Sequence, residues 1–107
     1  MSVTANQVLN ALSDPTRRAL FERLCRVGEQ NVRALTDYVG VSQPAVSKHL
    51  TILKEAGLVR DRKDGRDSRY KAKPQGLAPL INWMAVYAAF WRDRFDDLED
   101  VLSRMDQ

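Results

Sequence analysis

Val41-Ser-Gln-Pro-Ala-Val-Ser-Lys-His-Leu-Thr-Ile-Leu-Lys-Glu-Ala-Gly-Leu-Val59 is the stretch on which the fold turns. Ser42 is a good N-cap, because its hydroxyl can accept from a backbone amide that has no partner inside a helix. From about Gln43 to Ala56, the apolar residues Val46, Leu50 and Leu53 recur at steps of four and three, which places them on one helical stripe. Gly57 ends that helix. Upstream, Val32 to Val39 reads as a shorter helix with Leu35 and Val39 facing inward, and Gly40 breaks it. Two helices joined by so tight a turn make a helix-turn-helix over residues 32–56.

Downstream, residues 58–63 and 68–73 read as two strands flanking Asp64-Gly65-Arg66-Asp67, a hairpin turn signal. Pro74 and Gly76 then reset the chain. One long helix is expected from about Leu77 to Met105, with Pro79 tolerated because it lies in the first turn. Upstream of the central stretch, residues 3–12 form a first helix with Val3, Val8, Leu9 and Leu12 available for an apolar face. Asp14-Pro15-Thr16-Arg17 starts a second, with Asp14 as cap and Pro15 where no N–H is needed. Ala19, Leu20, Leu24 and Val27 recur along it, and Gly28 closes it. The expected architecture is α+β and mostly helical. It is a single winged helix-turn-helix domain over residues 1–107, with a two-stranded wing at 58–73 and further helices at 3–12 and 77–105.

A chain of 107 residues can hold one core. With 44% hydrophobic and 29% charged residues, five Gly and four Pro, the composition belongs to a folded helical protein. The first residues lack a basic segment followed by an apolar one, and no run approaches the roughly 18 apolar residues that span a bilayer. No membrane role is expected, and the chain reads as cytoplasmic. Cys25 stands alone, so neither an intrachain disulfide nor a paired-thiolate metal motif is available; it reads as a small packing residue. The single histidine, His49, has no partner cysteine and no Gly-rich phosphate loop accompanies it, so no catalytic, metal or nucleotide site can be assembled. His49 itself is expected to pack at the turn. The chain is read as no enzyme, with no cofactor.

Charge is unevenly placed. Residues 1–73 hold 14 Lys and Arg against 8 Asp and Glu, whereas residues 74–107 hold 3 against 6. The hairpin alone carries Arg60, Arg62, Lys63, Arg66, Arg69, Lys71 and Lys73 against Asp61, Asp64 and Asp67. A basic wing beside a helix-turn-helix points to a polyanion, and the residues opposite the buried stripe suit duplex DNA. Gln43 can pair bidentately with adenine, Lys48 can reach guanine, Ser42, Ser47 and Thr51 can bond bases or phosphates, and Pro44 can touch a thymine methyl. Lys54 and the wing cations Arg62, Lys63, Arg66 and Arg69 are expected on phosphates or in the minor groove. The rival reading is a winged-helix module that binds a protein partner without reading bases.

The last helix carries a second pattern. Leu77, Leu80, Met84, Tyr87 and Trp91, then Leu98, Val101 and Met105, step by three and four, interrupted at Arg94. With Val8 and Leu12 from the first helix, these are the expected contacts of a homodimer. The carboxylates Asp93, Asp96, Asp97, Glu99 and Asp100 read as a solvated helix end.

Three ordered blocks carry a resemblance: Ala11 to Leu24, Val41 to Val59 and Asp64 to Tyr70. Together they resemble the ArsR family of bacterial winged-helix repressors over nearly the whole chain. The resemblance implies a homodimer, binding to a palindromic or near-palindromic operator, repression by occluding the promoter, and release by an inducer. Well-known members sense metals through a Cys-x-Cys in the helix before the turn or through ligands on the last helix. Here those cysteine positions fall on Asn31 and Arg33, and the last helix has no histidine, so the sequence resembles members without metal ligands.

Overall fold

Six α-helices and three strands follow one another in the computed structural model, which describes residues 2–106. Helix α1 (Ala5–Ser13) begins with a capping box in which the Thr4 hydroxyl accepts from the Gln7 amide and the Gln7 side chain accepts from the Thr4 amide. Asp14 ends α1 and caps α2 (Pro15–Val27), accepting from the Arg17 amide at 3.0 Å. The same junction satisfies the carbonyls left open at the end of α1. Arg17 Nε donates to Ala11 O at 2.8 Å and Arg18 Nη1 to Leu12 O at 3.1 Å.

Strand β1 (Gln30–Asn31) leads into α3 (Val32–Val39), then α4 (Gln43–Glu55), β2 (Val59–Asp64) and β3 (Asp67–Ala72). Gly40, at φ 73° and ψ 20°, holds the left-handed conformation between α3 and α4 that a side chain would strain. Ser42 caps α4 through the Ala45 amide at 3.3 Å. The strands form an antiparallel sheet in the order β1-β3-β2, with Asp64 paired to Asp67 across a two-residue turn. Sequence reasoning expected two strands. The third, β1, is two residues long, pairs with Tyr70 and Arg69, and is too short to show a period of two.

Val8, Ala11, Leu20, Phe21, Leu24, Leu35, Val46, Leu50, Leu53, Ala56, Leu58 and Val59 form the core. The stripe Val46, Leu50 and Leu53 is fully buried, as its spacing requires. Leu9 and Val27 are instead exposed, at 44% and 45%, because each lies beyond the edge of its helix's inward face. Cys25 is also exposed rather than packed. Partial desolvation and the neighbouring Glu22 charge push its thiol pKa up and hold it protonated.

The C-terminal region differs from the expected continuous helix. A 3-10 turn (Pro74–Leu77) leads into α5 (Ala78–Ala85), and α6 (Ala88–Met105) begins after a break at Val86 and Tyr87. At the break the Tyr87 amide bonds back to Met84 O at 2.9 Å, three residues away, a local tightening that no Gly or Pro announces. Both residues keep right-handed helical angles, so the chain is interrupted without reversing. No residue of α5 or α6 is buried. The Cα radius of gyration is 18.5 Å, against about 13 Å for a compact chain of this length. The long axis is 65 Å.

Candidate nucleic-acid interface

Burial of one face of α4 decides what the other face shows. With Val46, Leu50 and Leu53 turned into the core, Ser42, Gln43, Pro44, Ser47, Lys48 and Thr51 are all exposed. The Thr51 hydroxyl donates to Ser47 O at 3.0 Å, which leaves its oxygen lone pairs free to accept. His49 is half-buried, and its Nδ1 is shielded from solvent without a hydrogen-bond partner. That position suits packing rather than a base contact, and Asp14 at the nearby start of α2 has its carboxyl held below the usual range chiefly by the hydrogen bond from the Arg17 amide.

The wing is tied to the rest of the fold by ion pairs made from several of the expected DNA contacts. Lys54 Nζ lies 2.9 Å from Asp61 Oδ1, joining the end of α4 to β2. That contact holds the Asp61 carboxyl below, and the Lys54 ammonium above, their usual ranges. Arg62 grips Glu29 with two hydrogen bonds, Nε to Oε1 at 2.6 Å and Nη2 to Oε2 at 3.1 Å. Arg69 Nε sits 3.2 Å from Asp64 and 3.6 Å from Asp67, yet directs no hydrogen bond at either, so the attraction is Coulombic only. Among the described residues, Lys63 and Arg66 at the turn carry no such partner. Exposed pairs of this kind are worth about 0–1 kcal/mol, so a phosphate can replace the carboxylate at small cost.

The residues at the resembled metal positions do not fit a metal. Asn31 Oδ1 caps α3 by accepting from the Ala34 amide at 2.8 Å, while its Nδ2 donates to Asp67 at 3.2 Å. Arg33 is an exposed cation with no lone pair to give. Neither donor set suits a soft or borderline ion.

The expected dimer contacts divide. Met84, Tyr87 and Trp91 are exposed at 55%, 46% and 57%. Leu12, Leu77 and Leu80 are half-buried against the protomer's own core. Val8 is fully buried inside the protomer and offers no surface to a second copy, which corrects its assignment. The exposed apolar surface extends to Trp83, Phe90 and Phe95, with Trp83 edge-on to Tyr87 at 5.3 Å between ring centroids.

Comparison with known proteins gives concordant matches. Residues 14–61 match the model of the bacterial regulatory protein family arsR. The chain is 35% identical to the transcriptional repressor SdpR of Bacillus subtilis, over 74% of this chain and 87% of that one. It is 38% identical to the arsenical resistance operon repressor of Escherichia coli, over 92% of this chain and 82% of that one. Among solved structures, a homodimeric winged helix-turn-helix DNA-binding domain from Mycobacterium bovis superposes with a TM-score of 0.62 and 28% identity, covering 78% of this chain and 77% of that one.

Proposed function

The chain belongs to the arsR family of bacterial regulatory proteins, and from that premise we propose that it is a homodimeric repressor that reads a palindromic or near-palindromic operator. One recognition helix, α4, enters the major groove of each half-site. Gln43, Ser47 and Lys48 read base edges there, with Ser42, Pro44 and Thr51 beside them, while Lys63 and Arg66 bring the wing tip to phosphates. Lys54, Arg62 and Arg69 can join the phosphate contacts by exchanging their carboxylate partners. Repression follows from occupying the promoter, an inducer releases it, and the protein acts in the cytoplasm. The observation that carries this reading is the exposed polar face of α4 directly opposite a stripe with no solvent exposure. Selection of genomic fragments by the purified protein tests it. Enrichment of a shared two-fold-symmetric sequence is expected. Fragments bound without common sequence would remove the claim of base readout and favour a protein-binding module.

A further inference from the structure

The outer face of the wing holds an arrangement that DNA contact at the tip leaves unused. Alternation along the strands puts Val59, Asp61 and Lys63 on the face toward the core, and Arg60 and Arg62 on the opposite face with their partners Lys71 and Arg69. Cations therefore sit opposite cations, Arg60 against Lys71 and Arg62 against Arg69; the paired Asp64 and Asp67 share this face and attract Arg69, which leaves Arg60 and Lys71 as the cations away from a carboxylate. Like charges placed directly opposite destabilise a sheet, so this face favours an anion. Glu29, in the loop between α2 and β1, already supplies one to Arg62. Its carboxyl is held below the usual range by that hydrogen bond and by the Arg62, Arg69 and Lys71 charges. Arg60 and Lys71 make no ion pair among the described residues. Beside them is an open cleft of about 590 Å³ lined by Gly28, Glu29, Arg60, Asp61, Arg62 and Lys71. The Asp61 carboxylate is engaged with Lys54.

We propose that this cleft binds a small oxyanion carrying two negative charges, a phosphate ester or a dicarboxylate, held by Arg60 and Lys71 with Arg62 recruited from Glu29. The volume lies in the range of small-molecule clefts. Glu29 stands immediately before β1 and α3, so an anion that takes Arg62 removes one of the ties between the wing and the segment leading into the helix-turn-helix, the β1–β3 pairing and the Asn31–Asp67 hydrogen bond remaining. As an effector site the cleft rests on the DNA-binding reading above; as an anion site it does not.

The experiment titrates the full chain with inorganic phosphate, and separately with succinate, at constant ionic strength, following backbone amide shifts. Saturable shifts at Gly28, Glu29, Arg60 and Lys71 are expected, and the tighter of the two anions identifies the ligand class. The double variant Arg60→Gln with Lys71→Gln should bind at least about tenfold more weakly, because both fixed cations are removed. Glu29→Gln should bind more tightly, since it removes the competing carboxylate, and the tip variant Lys63→Gln with Arg66→Gln should bind as the wild type does. No saturable shift with either anion, unchanged binding in the double variant, or weakened binding in Glu29→Gln would each overturn the proposal. Duplex binding is measured alongside. If the double variant loses as much DNA affinity and salt slope as the tip variant, this face is a DNA-phosphate surface and the proposal fails. A wild-type chain that titrates with phosphate but binds no duplex would sink the regulator reading and leave the cleft standing.

Discussion

At the scale of single residues, the structure assigns tasks that residue type alone leaves undecided. Gly76 reads in sequence as a break after Pro74, yet its place is set by packing: a Cβ there would collide with the Gly57 carbonyl oxygen and lie 2.8 Å from the carbonyl carbon and 3.3 Å from Leu58 Cα. That backbone is itself fixed, because the Lys73 amide donates to Leu58 O at 2.7 Å. Gly76→Ala should therefore destabilise the fold by about 1–3 kcal/mol, the usual cost of forcing an extra carbon into packed surroundings. A urea unfolding midpoint equal to that of the wild type would show that the 3-10 turn yields freely. Asn31 and Arg17 likewise gain roles in the structure. Asn31 enters the sequence reading as a missing ligand but not as the cap of α3, and Arg17 as part of a helix start but not as the donor that closes α1. The Arg17 role depends on carbonyls of the preceding helix, which the start signal at Asp14 does not announce, whereas the Asn31 cap lies three residues from its partner and carries the same local signal that marked Ser42.

At the scale of elements, the helix-turn-helix was readable because the period of α4, the cap at Ser42 and the break at Gly40 all act within a few residues. The wing was readable as a basic hairpin, but its ion pairs were not, since Glu29 lies 33 residues before Arg62. That difference grades the expected effects of substitution. Gln43→Ala should cost about 1–3 kcal/mol on a specific operator and spare random duplex, because base-edge contacts carry sequence information. Lys63→Ala or Arg66→Ala should weaken both duplexes and lower the slope of log affinity against log salt by about one for each phosphate that is no longer neutralised. Arg69→Ala should change that slope less, since its charge is already shared with Asp64 and Asp67. Salt titrations on both duplexes check the three together, and equal slopes for Arg66→Ala and wild type would remove the tip from the interface. The same tethers give the wing a pH dependence. Glu29 and Asp61 titrate below their usual ranges, so their contribution to stability is present above the ordinary carboxylate range and is lost as pH falls through the depressed values. Melting temperature should drop on acidification, and more shallowly in Glu29→Gln and Asp61→Asn; curves parallel to the wild type would place the acid sensitivity elsewhere.

At the scale of the whole molecule, the protomer is incomplete. α6 contains Phe90, Trp91, Phe95, Leu98, Val101, Leu102 and Met105, all exposed, on a helix without a single buried residue. Trp91 and Phe95, then Leu98, Leu102 and Met105, step by four and three along it, the spacing of a seam between helices. The sequence pattern through Leu77, Leu80, Met84, Tyr87 and Trp91 to Leu98, Val101 and Met105, interrupted at Arg94, places the seam on the same helix but leaves out Phe95 and Leu102, and the break at Val86 and Tyr87 went unread because no Gly or Pro marks it. Val8 shows the limit of the same pattern: it has seam-like periodicity but is spent on the protomer's own core. The two kinds of apolar residue should fail differently when charged. Met84→Glu or Trp91→Glu places a carboxylate where a second copy would bury it unpaired, a cost of several kcal/mol and thus orders of magnitude in dissociation. Neither change touches the core, so helical content at low concentration should remain that of a folded protomer. Val8→Glu puts the carboxylate inside the protomer, and should lower helical content and the unfolding midpoint whatever the oligomeric state. Sedimentation and circular dichroism at micromolar concentration separate the cases. A dimeric wild type, a folded monomer for Trp91→Glu and an unfolded chain for Val8→Glu are expected, whereas a wild-type monomer would leave the apolar face of α6 without the occupant that its spacing requires.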